Sequence, residues 1–358
     1  MTVEQKIVLS FIKTAVSCSP AELTKESFNW TIVIDFATKQ GVQGLCLDAL
    51  ELLPKEERPD KAMLLEWVGR VVGMERLYES HLKAVDALAC FYQQYGIKMM
   101  LLKGYGVSLY WPRPNHRPAG DMDIYLGPNW KRADQLVGEQ LGIVVDDGHE
   151  HHTCFVFQGT SVENHYDFVN TKVNESSREL EVLFKKLATF DKSVTTGKGA
   201  IFLPSSTLNA IFLVRHLGQH FAGAEATLRQ LLDYGFFIQH ETANVDWKQV
   251  CSTLKKAGMF RLFQQINAIC VDYLGFSESL FPQIEREPAL EKRIIEDILS
   301  PEFAEEKPKG TTLQVVWFKT RRFLANRWKR KLVYREGMWS QLWYGSIAHI
   351  QRFGTIKD

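Results

Sequence analysis

The stretch that most limits the fold is LLKGYGVSLYWPRPNHRPAGDMDIYLG, residues 101–127. Two short apolar runs bound it, IKMMLL at 97–102 and MDIYL at 122–126, and both are read as buried strands. The first stops at Lys103 and Gly104, after which GVSLYW supplies a helical turn, and the second is opened by Asp121 and Asp123. Side chains at i and i+2 of a strand share a face, so the two carboxylates stand together while Met122 and Ile124 face the core. Carboxylates that close repel unless a cation lies between them. A hard divalent ion such as magnesium, held by one or two carboxylates and by substrate phosphates, meets that need.

The pattern around this stretch is α+β. A helix through PNWKRADQLVGEQLG comes next, with Pro128 near its start, and then TCFVFQ (153–158) and SVENHYDF (161–168) are strands joined by a hairpin at Gly159 and Thr160. Both flanks read as helical. Leu64, Val68, Val71, Leu82, Val85, Leu88 and Tyr92 recur at helical spacing, and SPAEL offers Ser19 as an N-cap with Pro20 and Glu22 in the first turn. From Ser176 the chain is expected to be helical again, and SPEFAEEKPKGTT (300–312) is the best linker. The expected organisation is an N-terminal helical region at 1–95, a small mixed-sheet core at 96–175, a C-terminal helical region at 176–300, and a linker with a basic aromatic helical tail at 301–358.

Composition narrows the class of protein. With 45% apolar and 24% charged residues the chain is globular, and its six cysteines contain no C-x-x-C pair, so neither a zinc site nor a disulfide framework is indicated. The N-terminal residues lack the basic start and apolar run of a signal peptide, and no run approaches the roughly 18 apolar residues of a membrane span. The expected location is the cytoplasm. The net charge of +1 is lopsided: from Thr311 onward ten Lys/Arg face two acids, a surplus of +8, which leaves −7 on the first 310 residues. Trp317, Trp328 and Trp339 are spaced by eleven in this tail, so an unbroken helix lines them up on one side. A basic amphipathic helix of this kind suits an anionic surface at the inner face of a membrane, or a protein partner. No RNA-binding signature accompanies the charge, which argues against nucleic acid.

A D-x-D triplet alone decides nothing. Sixteen aspartates in 358 residues give about 0.7 such triplets by chance, so the setting carries the argument. Backbone N–H groups after a glycine at the start of a helical turn make an anion site, which puts a phosphate end at Lys103 and Gly104 beside the metal end at Asp121 and Asp123. A third acid is expected from a neighbouring strand. In VENHYDF, Glu163, His165 and Asp167 share a face; Glu163 is the better third metal and catalytic carboxylate, with His165 as its neighbour.

Taken together, LLKGYGVSLYW, RPAGDMDIYL, VENHYDF and RHLGQHF…LRQLLDYGFF resemble the bacterial uncharacterised nucleotidyltransferase family, within the polymerase-beta-like nucleotidyltransferase superfamily and often associated with surface-polysaccharide genes. The resemblance implies a glycine at the start of a helix that holds the triphosphate, a D-x-D pair that binds magnesium or manganese, and a third acid that assists the acceptor hydroxyl. Gly104, then Asp121 with Asp123, then Glu163 match these roles. The family's small residue after the glycine is Tyr105 here, and Lys103 and Arg117 are expected on phosphate oxygens, one as a point charge and the other as a planar fork.

His216 and His220 lie four apart on one helix face, as do Arg229 and Asp233 on the next, and with His165 they are expected to form a wall against substrate. The pair lacks the glutamate of H-E-x-x-H and so is not a zinc-protease motif. The expected function is magnesium-dependent transfer of a nucleoside monophosphate from an NTP to a hydroxyl of a small molecule or glycan precursor. Two rivals remain: a metal-dependent glycosyltransferase using a nucleotide sugar, and an idle interaction protein on the same fold.

Overall fold

The computed structural model describes residues 1–19, 26–172, 174–223, 226–305 and 308–337, without the side chain of Thr312. The helix start expected at Ser19, with Pro20 and Glu22, and the far end of the tryptophan stripe at Trp339 lie outside the described residues.

Four helices come first: α1 (Val3–Ser17), α2 (Trp30–Lys39), α3 (Gln43–Leu50) and the long α4 (Lys61–Gln94). Asp60 caps α4 by accepting the Met63 N–H at 2.9 Å. Its buried stripe includes Val71, Val85, Leu88 and Tyr92 from the expected set, while Val68 faces outward and Trp67 takes its place in the core. Strand β1 (Met100–Leu101), the turn α5 (Tyr105–Ser108), β2 (Met122–Tyr125), α6 (Trp130–Leu141), β3 (His152–Phe157) and β4 (Thr160–His165) come next. The β3–β4 turn has positive φ at Gln158 and Gly159, the requirement of a two-residue type I′ hairpin, so the turn lies one residue before Gly159–Thr160.

The region after Ser176 is not helical throughout, and the sheet does not stop at residue 175. Between α7 (Glu175–Leu187) and α8 (Ser206–Gly223) the hairpin β5 (Lys192–Thr195) and β6 (Ala200–Leu203) completes a six-stranded mixed sheet of order β3-β4-β2-β1-β6-β5. β6 pairs with β1 in parallel, Met100 opposite Phe202. Among the described residues the remaining helices are α9 (Leu228–Glu241), α10 (Trp247–Lys256), α11 (Phe260–Asp272), α12 (Pro288–Leu299), α13 (Thr312–Ala325) and α14 (Arg327–Val333). The fold is α+β.

Strand periodicity splits the central residues between two cores. Met122 and Ile124 pack with Ala84, Val85 and Leu88 of α4 and Ala133 and Val137 of α6. Met100, Leu102 and Tyr125 join the larger cluster that contains α1–α3 and α8–α12. That cluster takes side chains from both ends of the chain, so the N-terminal and C-terminal helical regions share one apolar core. Asp121 and Asp123 have the parity of Tyr125 and thus face α8.

The tail departs from one continuous helix. It breaks at Asn326 between α13 and α14, so Trp317 and Trp328 do not share a stripe: Trp317 is 65% exposed, while Trp328 stacks edge-on against Phe221 of α8. All six cysteines are unpaired, and among the described residues no helix is long and apolar enough to cross a membrane.

Candidate active site

β1 ends where the Leu102 N–H donates to the Asp123 carbonyl oxygen at 3.0 Å, which lays Lys103 and Gly104 beside the start of β2. Gly104 has φ 58° and ψ −121°, a conformation that side chains rarely tolerate, and an added Cβ would stand 3.1 Å from the Asp121 carbonyl oxygen. The backbone thus passes under the first aspartate because residue 104 has no side chain. Tyr105 leans its ring on Tyr78, 5.7 Å between centroids, and lies outside the lining of the adjoining cavity. Gly104→Ala is expected to cost about 1–3 kcal/mol of stability and to displace Asp121; melting curves and turnover of the variant check both effects.

In the parallel β2–β4 pair Asp123 stands directly opposite Glu163. Asp123 is buried, Glu163 half-buried, and Asp121 exposed at the strand mouth. Lys103 Nζ lies 2.7 Å from Asp123 Oδ1. His165 Nε2 lies 3.1 Å from the same oxygen and 3.3 Å from Glu163 Oε2, so the imidazole links the two acids rather than forming a plain wall. Ligand atoms of Asp123, Glu163 and His165 fall within 4.8 Å of one another.

Asp121 and Asp123 sit in a wall common to two cavities. The smaller, about 180 Å³, is lined by Lys103, Gly104, Arg117, Arg229 and Asp233. The larger, about 250 Å³, is lined by Glu163, His165, His151, Arg215 and Gln219. His216 and His220 of α8 border both, their rings in edge contact at 4.5 Å.

Arg117, expected on phosphate oxygens, is already paired within the protein: Nε and Nη2 donate to Asp233 at 2.7 and 2.9 Å, and Nη1 to the Pro118 carbonyl at 3.1 Å. Asp233 also accepts from Trp111 Nε1 at 2.9 Å, so Asp233 is the counter-ion of a buried clamp that fixes the segment before Asp121. Arg229 is different. Its side chain packs on Gly41 and its guanidinium has no hydrogen bond or ion pair among the described residues, so it presents an unpaired cation to the smaller cavity.

A family model described as an uncharacterised nucleotidyltransferase matches residues 26–275, a span containing β1–β6 and α2–α11. The chain belongs to that family. No curated protein and no solved structure matches it. This nucleotidyltransferase is therefore a transferase that works with a nucleoside triphosphate, and enzymes of this kind generally use divalent metals.

The donor set of this nucleotidyltransferase fits such an ion. Although Asp121 is exposed, partial loss of water around it, and then the charges of Glu163 and Asp123, raise its carboxyl above the ordinary value. Burial also opposes ionisation of Asp123, yet Lys103 and His165 hold its carboxyl well below the usual range. The hydrogen bond from His165 likewise lowers Glu163. His165 itself is buried, which disfavours its charge, but its bonds to both acids raise its pKa. His151, just before β3, and His152, its first residue, fold in against His165 at ring distances of 5.5 and 5.1 Å. Burial lowers them to about 3 and about 4, so both are neutral at physiological pH.

Sequence reasoning missed Arg215 and Gln219 as cavity residues. They share α8 with His216 and His220, and only the i, i+4 histidine spacing stands out in that segment.

Proposed function

We propose that the protein transfers a nucleoside monophosphate from a nucleoside triphosphate to a hydroxyl of a small molecule or glycan precursor, with magnesium or manganese as the metal. The reading is carried by the position of Asp121 and Asp123 in the wall between two cavities, with Glu163 beside them on the next strand. The smaller cavity, which Gly104 lines, receives the triphosphate, and the larger receives the acceptor. Metal held by Asp121, Asp123 and Glu163 supplies charge neutralisation for an in-line displacement at the α-phosphorus.

The chain's own residues do the positioning. Lys103, now neutralising Asp123, and Arg229 bind phosphate oxygens, while the Arg117–Asp233 clamp holds the backbone that leads into Asp121. Glu163 takes the proton of the acceptor hydroxyl, oriented by His165. The acceptor oxygen forms a bond to the α-phosphorus and pyrophosphate leaves.

Purified protein incubated with each ribonucleoside triphosphate, Mg²⁺ and a metabolite extract is expected to release pyrophosphate and to yield products heavier by a nucleoside monophosphate. Products heavier by a hexose, formed only when nucleotide sugars are supplied, would replace this reading with a glycosyltransferase. Nucleotide binding with no transfer would favour an idle interaction protein.

The reaction draws on cytoplasmic triphosphates, and the tail suits work at the inner face of a membrane. Leu313, Val316, Trp317 and Leu324 are exposed on α13, next to Arg321 and Arg322. The full chain is expected to sediment with vesicles containing anionic phosphatidylserine, and Trp317→Ala to reduce the bound fraction. Equal sedimentation with neutral vesicles would contradict this.

A further inference from the structure

Nucleotidyl transfer leaves one charge in the larger cavity without a role. Arg215, one residue before His216 on α8, lines the same cavity as Asp123, Glu163 and His165 and is 3% exposed. Its Nη2 donates to Ser177 Oγ at 3.2 Å, but Nε and Nη1 are buried with no hydrogen-bond partner among the described residues. The ring of Tyr334 lies 5.0 Å from the guanidinium carbon, a contact weaker than an ion pair.

None of the acids about the cavity is hydrogen-bonded to Arg215. Glu181, on the same helix as Ser177, accepts the Val169 N–H at 3.1 Å through Oε2, while its buried Oε1 lies 3.5 Å from Lys185 Nζ without a hydrogen bond among the described residues, and burial pushes the carboxyl up to about 7. Asp167 is paired with Lys185, Glu163 and Asp123 with His165, and Glu336 accepts from Ser176. Arg117 shows how this chain treats a buried arginine with a structural role, since its guanidinium is forked on Asp233. A buried guanidinium with open donors is costly to the fold and is rarely retained without a partner.

We infer that Arg215 is the receptor for an oxyanion on the acceptor: the molecule that fills the larger cavity carries a carboxylate or phosphate group in addition to the hydroxyl that receives the nucleotide. That the bound molecule is an acceptor rests on the proposed nucleotidyl transfer; the anion site does not. Guanidinium is the side chain best matched to these two groups, because its planar donors meet paired oxygens. A cavity of about 250 Å³ takes a small anionic metabolite, and His151 and Gln219 in its wall offer hydrogen bonds to hydroxyls. The anion at Arg215 and the metal-binding acids face the same space, so the anionic group orients the acceptor with its hydroxyl toward Glu163.

The test uses the full chain with Mg²⁺ and a non-hydrolysable triphosphate analogue, titrated calorimetrically with inorganic phosphate and separately with acetate. Saturable binding of phosphate points to a phosphorylated acceptor, and of acetate to a carboxylate. Arg215→Met is expected to weaken that binding about tenfold or more, the worth of a hydrogen-bonded charge, with the affinity for the triphosphate analogue unchanged. Without any anion, Arg215→Met is expected to melt at or above the wild-type temperature, because an uncompensated buried charge has gone. Arg215→Lys keeps the charge, retains part of the anion binding, and serves if the methionine variant does not fold. A lower melting temperature for Arg215→Met with its anion response intact would make Arg215 a tie between α7 and α8 and overturn the inference, as would absence of anion binding by the wild type. Failure of the triphosphate analogue to bind would count against nucleotidyl transfer, and the anion titration without nucleotide still decides the role of Arg215.

Discussion

Asp123→Asn is expected to lower kcat for metal-dependent nucleotidyl transfer by about 10³-fold or more, the several kcal/mol that charge neutralisation at a phosphoryl centre supplies. The substitution keeps the shape of the side chain and removes its charge. Asp123 is the residue on which the site converges: Lys103 and His165 both point at its Oδ1, and Glu163 stands opposite on β4. The same change has a signature in stability. The Asp123 carboxyl is held below its ordinary 3.8, so its ion pairs stabilise the fold above that pH and the contribution is lost as pH falls through the depressed value. His165 is raised above its ordinary 6.5, so its contribution is full below that pH and is lost as pH rises through the raised value. Melting temperature against pH is therefore expected to form a plateau between these values in the wild type and to flatten on both sides in Asp123→Asn. A variant that keeps wild-type turnover, or a curve of unchanged shape, contradicts this account of the site.

Lys329→Met is expected to destabilise the protein by about 3–5 kcal/mol, the cost of leaving one member of a buried ion pair alone. Lys329 is 1% exposed and its Nζ lies 2.5 Å from Asp297 Oδ2, which joins α14 to α12. Asp297 Oδ1 also accepts the Glu302 N–H at 3.0 Å. Leu332 and Val333, one turn on, belong to the apolar core that contains α8. Denaturant unfolding measures the loss, and replacing both partners by Lys329→Met with Asp297→Asn is expected to recover part of it, because no unpaired charge remains. Both helices lie outside the family-matched span of residues 26–275, so the result reports how firmly the tail is built into the domain that carries α8 and its histidines.

How much the sequence disclosed tracks the strength of its local signals. β2 and the β3–β4 hairpin were legible because alternation and a glycine turn act over a few residues, and the period of two put Asp121 with Asp123 on one strand face and Glu163 with His165 on another; that the two faces adjoin follows only from the β2–β4 pairing. The β5–β6 hairpin escaped because its strands have four residues each, β5 lies at the sheet edge with no buried side chain, and the pair sits between two strong helical patterns. The partner of Arg117 was hidden for a different reason. Asp233 is 116 residues away, and nothing in local spacing says which acid a buried arginine will meet. Arg215 was hidden by burial, since an arginine in an amphipathic helix reads as solvent-facing until packing encloses it. The tail misled through its spacing of eleven, which holds only while a helix continues, and this one breaks at Asn326.

The most direct test of a metal site at the strand mouth is calorimetric binding of a non-hydrolysable triphosphate analogue, with and without Mg²⁺, to the wild type and to the double variant Asp121→Ala, Asp123→Ala. The wild type is expected to bind the analogue tightly only with Mg²⁺ present, and the double variant, folded by circular dichroism, to lose that dependence together with most of the affinity. Magnesium-dependent binding that survives in the double variant would contradict the claim that these two carboxylates hold the metal.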